Sequence, residues 1–600
     1  MFNWLKGRIA ERRTPHETSL VATPEQDSLS PDDASNASIQ YKKMGDLYLE
    51  QGKFAEAVEA YQQAIALNPE YAEACNNLGN ACIELNVLDK AEQYLTLAIA
   101  IKPDQANSYY NLASIFLMQN NISKAIIHLS KTLEYAPSHY AALAILLFQS
   151  QKICQWEHIE PYIATLREAV AQTAESNINI FSPFAFISLP GTTPAEQKKC
   201  AERWIKFEAP PLPPIHSNFS LADKRDSSDK ISIGYISADF RQHPVSLLMS
   251  EVIELHDRER FNIIAYSYGP NDLSPIRKRL EKAFDLFVDF QNVTDEVAAQ
   301  RIYSDKIDIL VDLTGHTLNS RIGIFAYRPA PIQVNYLGYP GTMGAGYMDY
   351  IIADNFTIPY GDQEYYTEKV IRVPDCFMPH DSTRPCPVQP SRNDCGLPDG
   401  AFVFCNFNNS YKITHEVFTI WCRLLHAVPN SILWLAASNP QAERNLLNSA
   451  EKQGLNSERI IYAGKLPQIE EHLARMQCAD LFLDTNPYNA HSTCSDALWM
   501  GLPVLTCVGD TFPSRVAGSL LTAIEIPELI TYNLEDYYNL ALELATNRDK
   551  LAIIRNKIIA NRDNSPLFDS KRFTRNLEAA YIKMISDHSS GKPRLAVSNN

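Results

Sequence analysis

Six short stretches concentrate the residues that could do polar chemistry. DTNPYNAHSTCSDALWMGLP (484–503) follows an apolar strand-like run, ADLFLD (479–484), and puts His491, Ser492 and Thr493 at the mouth of a helical pattern. A helix start offers N–H groups without intrahelical partners and a partial positive charge, which is the chemistry of a phosphate site. His491 would add a hydrogen bond to the same phosphates, and Asp496, one turn in, would reach a ribose hydroxyl. An ordinary N-cap with a surface histidine fits the same letters. CNFNNSYKIT (405–414) is again a strand running into a helix. Its Lys412 is a compact cation suited to a leaving diphosphate, with Asn409 able to hydrogen-bond the same group; a solvated lysine is the plainer alternative, although the helix dipole favours cations at the other end. IEEHLARM (469–476) places His472 and Arg475 on one helical face, with Glu470 or Glu471 pairing with Arg475 as the simpler account.

GYISADFRQHPVSLLM (234–249) brings Asp239 and His243 just past a strand, and Pro244 puts His243 in the turn before a helix. A histidine there can act as acid, base or substrate clamp near neutral pH. VDLTGHT (311–317) puts Asp312 and His316 at another strand end, and LGYPGTMGAG (337–346) is a glycine-rich loop able to approach a ligand closely. Asp-x-Asp is absent from the sequence, and so is G-x-x-x-x-G-K-[ST]. A dicarboxylate metal site and a P-loop are thereby disfavoured. A diphosphate leaving here would be stabilised by helix dipoles, lysine and histidine, with no metal.

The elements that must position these residues alternate. From 230 onward, short runs such as ISIGYISADF, FNIIAYSYG, IDILVDLTG, APIQVNYLG and MDYIIAD, several apolar on both faces, are separated by helical stretches. A polar stretch at 381–399 interrupts the alternation, which resumes with AFVFCNFN, SILWLAAS, RIIYAG, ADLFLD and PVLTCVG. Alternation of this kind predicts parallel sheets covered on both sides, two doubly wound Rossmann-like halves in tandem. Ligands of such sheets sit outside the carboxyl ends of the strands, so the cleft between the halves is the expected site. That is the architecture of GT-B glycosyltransferases, and of other two-domain α/β enzymes.

Before these halves a period appears. Pro69, Pro103 and Pro137 close successive segments of the type GDLYLEQGKFAEAVEAYQQAIALNP, with Gly45, Gly79 and Ala113, then Ala57, Ala91 and Ala125, at matching phases. Small residues at fixed points of a helix-pair unit, closed by proline, mark tetratricopeptide repeats, whose concave face binds chains. The reading divides the chain into a disordered tail (1–36), an α-solenoid of three clear repeats and one degenerate repeat (37–171), a helical connector with a stiff Pro-rich linker (172–229), two Rossmann-like halves (230–390 and 391–585) and a disordered tail (586–600). A length of 600 residues fits several cores. The net charge of −16 argues against a nucleic-acid partner, since binding to a phosphate backbone needs a basic face. No apolar run approaches the roughly 20 residues of a membrane span, and no secretory signal is visible, so a cytoplasmic protein is expected. The 12 cysteines include no Cys-x-x-Cys; the even spacing of Cys376, Cys386, Cys395 and Cys405 reads as coincidence, and reduced thiols are expected.

The repeats together with GYISADFRQHPVSLLM, RPAPIQVNYLGYPGTMG, MDYIIAD, CNFNNSYKIT and DTNPYNAHSTCSDALWMGLPVLT resemble the O-GlcNAc transferase and SPINDLY family, glycosyltransferase family 41, from about 37 to 585. The resemblance implies a GT-B fold and a metal-independent, inverting protein O-glycosyltransferase. It implies that His243 is the family's active-site histidine, as base or donor clamp, and that Lys412 stabilises the leaving diphosphate. His491, Ser492 and Thr493 look like the family's phosphate- and sugar-contacting His-Thr-Thr, with Asp496 on the ribose, and His472 and Arg475 look like members of the nucleobase and diphosphate pocket. Ser492 replaces a threonine, Asn409 stands where animal enzymes have glutamine, and Ile469 stands where they have a uridine-contacting lysine. The long insertion of animal enzymes between the halves is absent, as in bacterial and plant members.

UDP-GlcNAc is the donor this resemblance favours, ahead of UDP-glucose. VDLTGHT and RVPDCFM look more like SPINDLY, which uses GDP-fucose, and Tyr488 would narrow the N-acetyl pocket. The repeats imply a polypeptide acceptor, with Asn77 and Asn111 as rungs of an asparagine ladder or as helix-packing polars. A non-catalytic repeat scaffold and a transferase acting on glycans or flagellin-like surface proteins are the alternatives.

Overall fold

The computed structural model describes residues 31–172, 181–215, 230–437 and 439–590. They fall into two compact units, one ending at Ser150 and the other running from Gln151 onward. Most of the expected N-terminal tail, parts of the connector and the last ten residues lie outside the described residues.

The first unit is a stack of antiparallel helix pairs. Helices Ala72–Glu84, Ala106–Met118 and Tyr140–Lys152 begin 34 residues apart, as do Phe54–Leu67, Leu88–Ile101 and Ile122–Tyr135. The small residues at fixed phase allow the close approach. A Cβ on Gly45 would meet the Tyr61 ring at 2.6 Å and one on Gly79 would meet Leu95 at 2.6 Å. The first helix, Pro31–Glu50, begins inside the segment expected to be disordered. Asp33, within its first turn, complements the helix dipole. Helix Glu160–Ala171, expected as the second helix of a degenerate repeat, belongs to the second unit.

The second unit carries two parallel sheets. In the first, β1 (Ile231–Ser237), β2 (Phe261–Ser267), β3 (Leu286–Asp289), β4 (Ile309–Asp312), β5 (Ile332–Asn335), β6 (Tyr350–Ala353) and β7 (Lys369–Arg372) lie in the order β3-β2-β1-β4-β5-β6-β7. In the second, β8 (Phe402–Asn406), β9 (Ser431–Ala436), β10 (Ile460–Ala463), β11 (Leu481–Leu483), β12 (Val504–Cys507) and β13 (Ile530–Thr531) lie in the order β10-β9-β8-β11-β12-β13. Alternate residues of a strand serve opposite faces: Ile233 and Tyr235 of β1 enter one apolar cluster, and Ile236 enters another. In sequence, two sheets wound with the GT-B pattern follow one repeat unit.

The halves are tied by polar and aromatic contacts. Ser519 Oγ donates to Asp354 Oδ2 at 2.6 Å, and Phe377 meets Phe512 edge-on at 5.0 Å. The last helix, Ser570–Ser589, returns to the first half, where the Tyr581 and Tyr235 hydroxyls lie 2.9 Å apart and Glu578 holds His256. That helix passes the expected boundary at 585 because Lys369 anchors its last turn through Asp587 at 2.9 Å. The Pro-rich stretch expected to act as a spacer is strapped to the first half at its described end: Ile215 N–H donates to Tyr327 O at 3.2 Å, and Tyr347 Oη donates to Ala209 O at 2.9 Å.

Candidate functional site

Each sheet has one point where the strand order reverses, and a doubly wound sheet opens a crevice there. In the first sheet it lies between β1 and β4, in the second between β8 and β11. The loops leaving β1 and β4 carry Asp239, His243 and His316, and Asp312 ends β4. Those leaving β8 and β11 carry Asn408, Lys412, Asp484 and His491. Four of the six motifs picked out by residue type therefore flank the two switch points.

Lys412 ends a short 3-10 turn, Ser410–Lys412, and is only 8 % exposed. Its Nζ donates across the β8/β11 crevice to Asn489 O at 2.8 Å and lies 4.0 Å from the Tyr488 ring centre. Burial pulls its pKa down from the usual lysine value, opposed by the Asp484 carboxylate. Asp484 is held by Thr506 Oγ1, Thr485 N–H and Ala490 N–H, and burial pushes its pKa up. Tyr488 packs between Phe184 and Tyr411 and joins the apolar cluster of the first half that contains Tyr339 and Met343.

His491 is the residue before the helix Ser492–Trp499. Its Nε2 lies 3.2 Å from Pro513 O, and a carbonyl only accepts, so Nε2 carries the proton and Nδ1 is bare. Burial and the neighbouring Lys412 charge push its pKa well down, keeping the ring neutral. The Ser492 and Thr493 hydroxyls have no hydrogen-bond partner among the described residues and are partly exposed at the helix start, beside N–H groups that the helix leaves open.

A second cluster lies along the helix Ile469–Met476. Arg475 Nη2 donates to His472 Nδ1 at 2.7 Å, and the Arg475 guanidinium sits 5.3 Å over Phe407. That bond leaves the His472 proton on Nε2, and burial next to Arg475 lowers its pKa to about 4. His472 is thus a fixed neutral donor. Arg475 Nε is buried with no partner among the described residues, as are Asn408 Oδ1 and Asn489 Oδ1. Unpaired buried polar atoms are costly, and several at one crevice point to an occupant. Asp496 Oδ1 is taken by Arg384 Nη1 at 2.7 Å.

In the first half, His243 precedes helix Pro244–Leu255, and its Nδ1 accepts from Val245 N–H at 3.4 Å and lies 3.6 Å from Asp239 Oδ2. Burial lowers its pKa, Asp239 opposing, so the ring is neutral at pH 7 and able to take a proton. No described hydrogen bond, ion pair or ring contact joins His243 to Lys412 or His491.

The glycosyl transferase family 41 model matches residues 211–387 and 381–577. The chain belongs to that family. Tetratricopeptide-repeat models match residues 45–86 and 72–105. An Arabidopsis thaliana relative, named a probable UDP-N-acetylglucosamine–peptide N-acetylglucosaminyltransferase SEC, is 35 % identical over 460 residues, covering 74 % of this chain and 47 % of that one. A Caenorhabditis elegans UDP-N-acetylglucosamine–peptide N-acetylglucosaminyltransferase is 30 % identical, over 65 % of this chain and 43 % of its own. The chain thus spans about half the length of the curated relatives it matches, or somewhat less. A lysine-to-methionine variant of the Thermobaculum terrenum O-GlcNAc transferase superposes with TM-score 0.67 at 27 % identity, over 93 % of this chain and 99 % of that one.

Within this family 41 chain several expectations shift. Asn409 is exposed and makes no capping bond to the turn that it precedes. The buried asparagine of that loop is Asn408, whose Nδ2 donates to Thr485 Oγ1 at 2.9 Å. Arg475 pairs with neither Glu470 nor Glu471 among the described ion pairs. His316 is spent on packing: its Nε2 donates to Met343 O at 2.8 Å against the Tyr339 ring. The glycines of 337–346 face protein, since a Cβ on Gly338 would lie 2.1 Å from Leu313 O and one on Gly344 2.3 Å from Ala201 C. Asn77 donates to Asp46 Oδ1 and Asn111 to Asn76 Oδ1, so both rungs bond to neighbouring helices. Arg384, Asn408, Asp484 and Asn489 went unseen in the sequence; only the repeated asparagines of CNFNN signalled one of them.

Proposed function

We propose that this chain is an inverting, metal-independent protein O-glycosyltransferase that acts in the cytoplasm, moving GlcNAc from UDP-GlcNAc to Ser/Thr hydroxyls of polypeptides held by the repeats. The observation that carries this reading is Lys412: a buried ammonium, hydrogen-bonded among the described residues to a carbonyl alone, at the second switch point beside an open helix start. The names of the plant and nematode relatives support the choice of donor.

In this reading an acceptor hydroxyl attacks the anomeric carbon while the bond from that carbon to the diphosphate oxygen breaks, and the electron pair leaves with the nucleoside diphosphate. Lys412, the Ser492 and Thr493 hydroxyls and the helix start at 492 take up that charge. His491, neutral with its proton on Nε2, stands beside the phosphates at the same helix start. His472 and Arg475 offer N–H groups to the nucleobase and diphosphate, Asp496 faces the ribose, and Asn409 stands at the rim. The hydroxyl proton goes to His243, to water or to the donor phosphate. Tyr488, against Lys412, sits where the sugar's N-acetyl group is decided.

A panel of UDP-GlcNAc, UDP-glucose and GDP-fucose with cell lysate as acceptor, scored by nucleoside-diphosphate release, tests the assignment. Release from UDP-GlcNAc is expected. Preferential release from GDP-fucose or UDP-glucose would move the donor, and no release from any would favour a binding scaffold.

A further inference from the structure

The segment joining the halves is pinned along the second switch point. His380 Nδ1 lies 3.1 Å from Ser495 Oγ, Trp499 Nε1 donates to Pro385 O at 3.3 Å, and Gln477 Nε2 donates to Pro387 O at 2.8 Å. Arg384 sits within this strap. Its side chain is 6 % exposed and its Nη1 holds Asp496 Oδ1 at 2.7 Å. Its Nη2 is buried and has no partner among the described residues. Asp496 Oδ2 receives no hydrogen bond among the described residues. His472 feels the charges of both Arg384 and Asp496, which places the pair at the same cluster as the fixed His472 donor.

A planar guanidinium that spends one N–H₂ on a carboxylate and leaves the other dry and unpaired is incomplete. Leaving such a donor unmade is costly, more so when it is charged, and a ligand oxygen would recover that cost. We infer that Arg384 is a nucleoside-binding residue of the donor site: Nη1 fixes the Asp496 carboxylate with Oδ2 free for a ribose hydroxyl, and Nη2 donates to an oxygen of the same ribose. The inference rests on the reading of this crevice as a nucleotide-sugar site. It makes the connecting strap part of the site, so that the pocket is complete only when the strap is docked.

The test is binding of nucleoside diphosphates to the full chain by calorimetry, using whichever of UDP and GDP binds wild type more tightly, with its 2′-deoxy and 3′-deoxy counterparts. Wild type is expected to lose at least tenfold in affinity for one deoxy compound. Arg384→Gln should bind the ribo and deoxy forms within about threefold of each other, and Asp496→Asn should add no further loss of discrimination. Arg384→Lys, which keeps the charge without the fork, should resemble Arg384→Gln; thermal unfolding of each variant shows that the fold persists. A role confined to pinning the strap would weaken all three ligands equally and leave the tenfold preference intact, which would overturn the inference. So would a wild type indifferent to the ribose hydroxyls. Failure of wild type to bind either UDP or GDP would instead overturn the nucleotide-site reading beneath it.

Discussion

The two switch points share one device and differ in one cation. Asp312 ends β4 and Asp484 follows β11, each the strand beside its sheet's first strand. Asp312 Oδ1 accepts Thr314 N–H at 2.8 Å and Gly315 N–H at 3.0 Å; Asp484 Oδ1 accepts Thr485 N–H at 2.8 Å and Ala490 N–H at 2.6 Å. Burial raises both carboxyls. Beyond that the halves part. Asp312 acts electrostatically on the Tyr268 and Tyr347 hydroxyls, while Asp484 acts on the buried Lys412. A strand-end carboxylate is therefore loop architecture that both halves use. What makes a charge-accepting site is the cation added to it, together with the open helix start.

Breaking the cation is expected to have the largest effect. Lys412→Ala should lower kcat by ~10²–10³, the scale of one oxyanion-hole donor, in single-turnover assays. Lys412→Met should lose as much activity while holding or raising the thermal midpoint, because it removes a buried amine whose charge the site disfavours. Near-normal turnover in either variant would remove Lys412 from its proposed role. His243→Ala, on the other half, should cost ~10², the low end for a general base, since water or the donor phosphate can take the proton. Asp484→Asn withdraws the charge that supports the Lys412 ammonium and should weaken nucleoside-diphosphate binding about tenfold, one to two kcal/mol of the kind a charged partner supplies.

The same cation sets a pH limb. Its pKa is lowered, so the free protein loses the Lys412 charge before the usual lysine range near 10.5. A bound diphosphate favours the charged form and raises that pKa, so binding takes up protons and weakens as pH rises through the free-protein value. Calorimetry in buffers of different ionisation enthalpy should record the uptake at alkaline pH. His243, also lowered, should place the acid limb of kcat/KM below the usual histidine value of 6.5. His243→Ala should abolish that limb and leave the alkaline one.

How much of this was legible follows from what periodicity encodes. Most strands of both sheets announced themselves as apolar runs, and the candidate residues sat just past their carboxyl ends, so residue type and position singled out His243, Lys412 and His491. Strands β7 and β13 did not announce themselves, because KVIR is half-exposed and β13 is two residues long. Arg384 was invisible because 381–399 reads as a polar interruption; its meaning comes from docking against Asp496, more than a hundred residues away. A solvated Lys412 stayed open as an alternative because burial is a tertiary property. The glycine loop misled for a related reason, since the backbones its glycines approach belong to distant segments of the chain.

The smallest effect on turnover should come from the carboxylate that lacks a cation. Asp312 is raised to about 6 from 3.8 by burial, so the folded state holds its proton more tightly than the unfolded chain does. With a raised carboxyl, stability falls as pH rises through the interval from 3.8 to about 6, and the loss is complete at neutral pH. Both backbone N–H groups go to one oxygen, Oδ1, which an asparagine can present unchanged. Asp312→Asn should therefore leave turnover within about twofold while raising stability at pH 7 by about 1–3 kcal/mol, a gain that fades below pH 4. Denaturant unfolding at pH 4 and pH 7 beside steady-state rates measures both. A large loss of diphosphate binding in Asp312→Asn, equal to that of Asp484→Asn, would mean that the first switch point also holds the donor, and the contrast between the halves would fail.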